Sequence, residues 1–136
     1  MPSRNRDFLF AVFETQRMLR LYADKLASRH GITRAQWAVL AKLHDIGRIS
    51  QAALGRAVCM DAATVKGTVD RLEARSLVVR LPDAEDRRKL LVDLTPEGRE
   101  VASRNLAAAA TITQETLAPL TADESDRLYA LLAKLV

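Results

Sequence analysis

The chain has 136 residues, a hydrophobic fraction of 49% with only 4% aromatic, and a formal net charge of +4; one alanine-rich, aliphatic-cored domain suits these figures. A single cysteine excludes an intramolecular disulfide, and no stretch reaches the ~18 consecutive apolar residues of a membrane span. The opening MPSRNRDFLF lacks a signal-peptide core, so the expectation is a cytoplasmic protein without membrane association, whose modest basic excess leaves nucleic acid open as a partner.

Leu9, Val12, Phe13, Met18, Leu19, Tyr22 and Leu26 recur at helical spacing, which predicts one long helix ending before Gly31. Thr33 and Gln36 have the spacing of a capping box, and Ile32 with Trp37 forms its hydrophobic staple. The helix that starts there runs to about Asp45, where Gly47 stops it. The same device recurs at Ser50, predicting a helix over Gln51–Val58, and at Asp61, predicting Ala62–Arg75. Two short helices joined by a tight turn after a longer one are the layout of a helix-turn-helix.

Beyond Arg75 the pattern becomes extended. Leu77–Leu81 and Leu90–Leu94 are strand formers around the charged loop PDAEDRRK, a β-hairpin placed as a wing would be. Thr95 and Pro96 open another helix to about Leu117, Pro119 breaks it, and Thr121 with Glu124 caps a final helix over Ala122–Leu135. The fold class is therefore mainly α with a small β-hairpin wing. The terminal helices carry more apolar surface than one small domain hides, which predicts a homodimer.

Along Ala62–Arg75 the residues Ala62, Val65, Val69 and Leu72 form an inward stripe. The opposite face is small and smooth near its start, with Ala63, Thr64, Lys66 and Gly67, followed by Asp70 and Arg71. Small residues let a helix approach base edges in the major groove; Lys66 and Arg71 can neutralise phosphates, and Arg71 can alternatively read guanine. Taken alone, the same pattern describes an ordinary amphipathic helix packed on a neighbour. The hairpin tip, Asp86-Arg87-Arg88-Lys89, alters that balance. An arginine projecting from a wing can enter a narrow minor groove, and Asp86 can brace Arg88. Ser50, Gln51 and Asp61, at the starts of the two short helices, complete the candidate DNA-binding set.

The order of elements, with the segments ITRAQWAVLAKL, MDAATVKGTVDRLEARSLVVR and PDAEDRRKLLVDLTPEGR, resembles the MarR family of bacterial regulators over about residues 17–100. The resemblance implies one domain over residues 1–136, with a winged helix-turn-helix at about 33–95 and dimerisation helices at about 4–30 and 96–135. It implies a homodimer on a pseudo-palindromic duplex, with Arg88 in the minor groove, and repression relieved by a small aromatic or phenolic ligand. Ser76 departs from the glycine that many relatives carry, at the cost of some strain. By the same resemblance the effector lies between the first helix, the second helix and the winged unit. There Arg17, Arg20, Trp37 and His44 are the candidates, and they suit an aromatic acid or its CoA thioester.

Each of these four also has a plainer reading, as core or solvated face. Cys59 offers an oxidant-sensing alternative, although a small buried hydrophobe suits the run Ala57-Val58-Cys59-Met60 better. A winged-helix module for protein interaction is the other alternative, but it would show acidic or bulky residues where Ala63, Thr64, Lys66 and Arg88 stand. With two histidines, no glycine-rich phosphate loop and no metal-ligand spacing, the sequence argues against an enzyme, a metal site or a cofactor.

Overall fold

Five helices begin on a side-chain oxygen that accepts an N–H three residues ahead: Thr33, Ser50, Asp61, Thr95 and Thr121. Thr33/Gln36 and Thr121/Glu124 close complete capping boxes. Each cap satisfies backbone donors that the first turn leaves orphaned. In the computed structural model, which describes residues 4–135, the elements are α1 (Arg4–Arg29), α2 (Arg34–Ile46), β1 (Ile49–Ser50), α3 (Gln51–Ala57), α4 (Ala62–Ala74), β2 (Val78–Pro82), β3 (Leu90–Leu94), α5 (Pro96–Leu117) and α6 (Ala122–Leu132).

Three helices end alike. After α1, α3 and α4 the chain turns through a left-handed residue, Gly31, Cys59 and Ser76 respectively, with φ of 68°, 55° and 58°. In each case the next N–H reaches back five residues to close the turn: Ile32 to Ala27, Met60 to Gly55, Leu77 to Leu72. This is the Schellman geometry, which glycine adopts without a Cβ penalty. Cys59 is therefore exposed, contrary to the buried place expected for it, because the turn swings its side chain outward.

The wing is more than a hairpin. β1 pairs antiparallel with β3, Ile49 opposite Val92, giving the strand order β1-β3-β2. Across β2 and β3 the register runs from Val78 opposite Leu94 to Pro82 opposite Leu90. Asp93 fixes this sheet to its surroundings, pairing with Arg48 at 3.1 Å and with Arg99 of α5 at 3.7 Å.

The core lies between α2, α3, α4 and the sheet. Val39, Leu40, Leu43, Leu54, Val65, Val69, Leu72, Val78 and Val92 are essentially removed from solvent. In α4 the inward face is Val65, Thr68, Val69 and Leu72, whereas Ala62 is exposed because the first turn precedes the packed region. Gly98 sits so close to the sheet that a Cβ there would overlap the Leu77 carbonyl. By contrast, α1 and α6 leave large apolar residues in the open, and none of the α6 residues is buried.

Candidate nucleic-acid interface

The exposed face of α4 carries Ala63, Thr64, Lys66, Asp70 and Arg71, with Gly67 half-buried among them. The fold thus brings together the residues expected on one side of this helix. Arg71 lies back over Gly67, its guanidinium nitrogens 3.7 and 3.9 Å from where a Cβ would stand. At the helix start Asp61 accepts the Thr64 N–H at 2.7 Å. That backbone hydrogen bond holds the Asp61 carboxyl below its usual value of 3.8. Asp61 is thereby fixed by its capping role, one oxygen already engaged.

Asp70 is an acid on an otherwise cationic face, and both of its oxygens are taken. Oδ2 accepts from Lys66 Nζ at 2.9 Å and Oδ1 pairs with Arg80 Nη2 at 2.8 Å. The Lys66 hydrogen bond, with a further contribution from Arg80, lowers its carboxyl below 3.8. Its charge is thus compensated locally rather than left bare to repel a phosphate.

Ser50 accepts the Ala53 N–H at 3.2 Å, so the start of α3 is anchored where the chain leaves β1. Beside it the Gln51 side-chain oxygen accepts from Arg80 Nε at 2.9 Å. Nothing in the helix periodicity signalled Arg80. The available signal was a charged residue on the same strand face as buried Val78.

At the wing tip Arg88 is 92% exposed, yet it is not loose. Asp86 Oδ1 accepts both the Arg88 N–H at 3.1 Å and Nε at 3.2 Å. The loop is closed further by Asp83 N to Lys89 O, Lys89 N to Asp86 O, and Glu85 N to the Asp83 carboxylate. Asp86 thus braces Arg88 as its spacing allowed, and together with Asp83 it orders the backbone that carries Arg87, Arg88 and Lys89 outward.

The four effector candidates separate. Trp37 lines a cleft of about 180 Å³ with Leu19, Ala23 and Leu26 of α1 and Ala109, Ile112 and Thr113 of α5. Its indole Nε1 is buried and has no hydrogen-bond partner among the described residues. Arg17 and Arg20 are exposed and outside this lining, because Leu19, Ala23 and Leu26 form the face of α1 turned to it. His44 is also exposed, with Nε2 3.4 Å from Ser103 Oγ. Of the α1 and α5 contributors, Leu19 and Leu26 entered the sequence reading only as part of the apolar helical pattern, and Ala23, Ala109, Ile112 and Thr113 carried no signal.

Comparison with known proteins agrees with this arrangement. The model of the MarR family matches residues 32–90. The transcriptional repressor NicR of Pseudomonas putida is 38% identical over 105 residues, which are 77% of this chain and 66% of that protein. A crystal structure of a probable transcriptional regulator from Pseudomonas aeruginosa is 41% identical, with a TM-score of 0.76 over 92% of this chain and 96% of that one. The structure of Bordetella bronchiseptica BpsR, which concerns regulation of its DNA binding by 6-hydroxynicotinic acid, is 34% identical, with a TM-score of 0.76 over 92% and 98% of the two chains. No helix among the described residues is long and apolar enough to cross a membrane. Winged architecture, cationic wing and these likenesses lead to one assignment: the chain belongs to the MarR family of DNA-binding transcriptional regulators, and not to a family of enzymes.

Proposed function

We propose that the chain acts as a homodimeric repressor whose operator affinity is set by a small aromatic ligand. The observation that carries the DNA half is Arg88, held by Asp86 and 92% exposed at the end of the wing. In this reading residues 33–95 form the reading head. Thr64 and its small neighbours Ala63 and Gly67 face base edges, and Lys66, Arg71, Arg87 and Lys89 neutralise phosphates. Ser50, Gln51 and Asp61 sit at the helix starts beside them, and Arg88 enters the minor groove. Helices α1, α5 and α6 join two copies and set their heads about one DNA turn apart, ~34–36 Å. A protein that reads chromosomal operators works in the cytoplasm.

The ligand half rests on the Trp37 cleft. A cavity of ~150 Å³ holds benzene, so the 180 Å³ here suits a single substituted ring. It is too small to enclose a whole CoA thioester. The Trp37 ring forms one wall of the cleft and gives a single-ring ligand an aromatic surface to pack on. The likeness to BpsR, regulated by 6-hydroxynicotinic acid, points to the same chemical class. A ligand wedged between α1, α2 and α5 would favour one spacing of the two heads and so shift the DNA-competent population.

The test is binding to the duplex upstream of the protein's own gene, titrated first with salt and then with monocyclic aromatic acids. Tight, salt-sensitive binding that one acid weakens is the expected result. Binding that no acid affects removes the ligand half, and absence of operator binding removes both.

A further inference from the structure

Arg80 is an enclosed cation, its side chain 14% exposed, on the inward face of β2. It reaches two helices at once. Nε donates to Gln51 Oε1 of α3 at 2.9 Å; Nη2 donates to the Lys66 carbonyl at 3.4 Å and pairs with Asp70 at 2.8 Å; Nη1 donates to Glu73 at 3.2 Å. The Arg80 backbone N–H donates to the other Glu73 oxygen at 3.2 Å. So enclosed, the guanidinium is directed at the protein rather than at a duplex.

Two consequences concern groups on the DNA face. Because arginine only donates, the atom of Gln51 that meets it must be the oxygen. The amide is thereby oriented, and Nε2, which only donates, is left for a partner that only accepts, such as a phosphate. Likewise Asp70, held by Arg80 through Oδ1, uses Oδ2 to hold Lys66 Nζ at 2.9 Å. We propose that Arg80 is a positioning residue of the DNA interface, presenting Gln51 Nε2 and Lys66 Nζ as paired donors on α3 and α4. The inference rests on the proposed DNA-facing roles of Gln51 and Lys66.

The test is a mutant cycle on operator and random duplexes. Arg80→Lys keeps the charge but loses the fork, and should weaken operator binding about tenfold, the size of a typical coupling between contacting residues. In a Gln51→Ala, Lys66→Ala background the same change should cost no more than about twofold. An equal loss in both backgrounds would show that Arg80 acts independently, and would overturn the proposal. If the double variant binds the operator like the parent, the DNA-facing reading itself fails; if it binds weakly while Arg80→Lys is silent, only the positioning role fails.

Asp70→Asn provides a second route that spares the Arg80 side chain. Removing a negative charge beside DNA should, by electrostatics alone, tighten binding to operator and random duplex together. Positioning predicts instead that binding to both duplexes weakens, because the Lys66 ammonium released from Asp70 no longer stands where a phosphate meets it. Binding that is unchanged or tightened on both duplexes would overturn the proposal even if Arg80→Lys does not fold.

Discussion

The winged unit and the terminal helices handle apolar surface in opposite ways. Between α2 and β3, Leu40, Leu43, Leu54, Leu72, Val65, Val69 and Val92 are fully enclosed. On α1 and α6, by contrast, Phe8, Phe10, Phe13, Leu21, Tyr129 and Leu131 are each at least half exposed. A head that completes its own core can be carried as a rigid body, whereas helices that do not are complete only against another surface. Since both kinds occur on one chain, a second copy is the economical cover, and stability should divide along the same line.

The largest expected effect therefore belongs to the head. Leu72→Ala, at a site with no exposure, should cost about 2–5 kcal/mol in denaturant unfolding, whatever the protein concentration. Gly98→Ala belongs with it, since the added methyl meets backbone rather than a flexible side chain. On the terminal helices Phe13→Asp or Leu131→Asp should instead convert a particle of twice 15.1 kDa into one of 15.1 kDa. Light scattering measures the mass, and the melting temperature of these variants should lose its dependence on concentration. A parent chain that is already monomeric at high concentration would sink the comparison.

Arg88→Ala comes next. It touches neither the core nor the apolar faces, so melting should be unchanged while operator affinity falls by about 1–3 kcal/mol and the salt slope shrinks by about one. Unchanged affinity would remove the minor-groove role.

How much of this was legible in the sequence follows from the range of each interaction. The caps at Thr33, Ser50, Asp61, Thr95 and Thr121 span three residues and carry fixed residue types, so they could be read directly. Arg80 with Gln51 and Asp93 with Arg48 are separated by 29 and 45 positions, and nothing local announces such pairs. Strand β1 is equally hidden, being two residues that pair only because β3 returns beside them. The effector candidates Arg17 and Arg20 failed to meet Trp37 because α1 is apolar around much of its circumference. Its periodicity gave no reliable phase for the inward face.

Helix ends show a subtler limit. Gly31 was readable as a stop because glycine advertises the left-handed turn, while Cys59 and Ser76 make the same turn unannounced. Each should carry some of the ~1–2 kcal/mol that a Cβ costs in that conformation. Ser76→Gly and Cys59→Gly are thus expected to raise unfolding free energy by about 1 kcal/mol apiece. The two sites share no helix end, so the gains should add. A loss at Ser76 would show instead that its side chain contributes something the backbone geometry does not reveal.

The smallest effect tests whether a cap in the head works as a charged group. Asp61 has its carboxyl lowered, chiefly by the Thr64 backbone N–H. A group with a depressed folded-state value stabilises at pH above its unfolded value and loses that contribution as pH falls through the folded one. Relative to the parent, Asp61→Ala should therefore be less stable at neutral pH, with the gap narrowing once pH drops below 3.8. Urea unfolding of both proteins at neutral and acid pH measures this. A gap that stays constant would mean that the oxygen matters as a neutral acceptor, as it does at Ser50 and Thr95, and that its charge adds nothing to the cap.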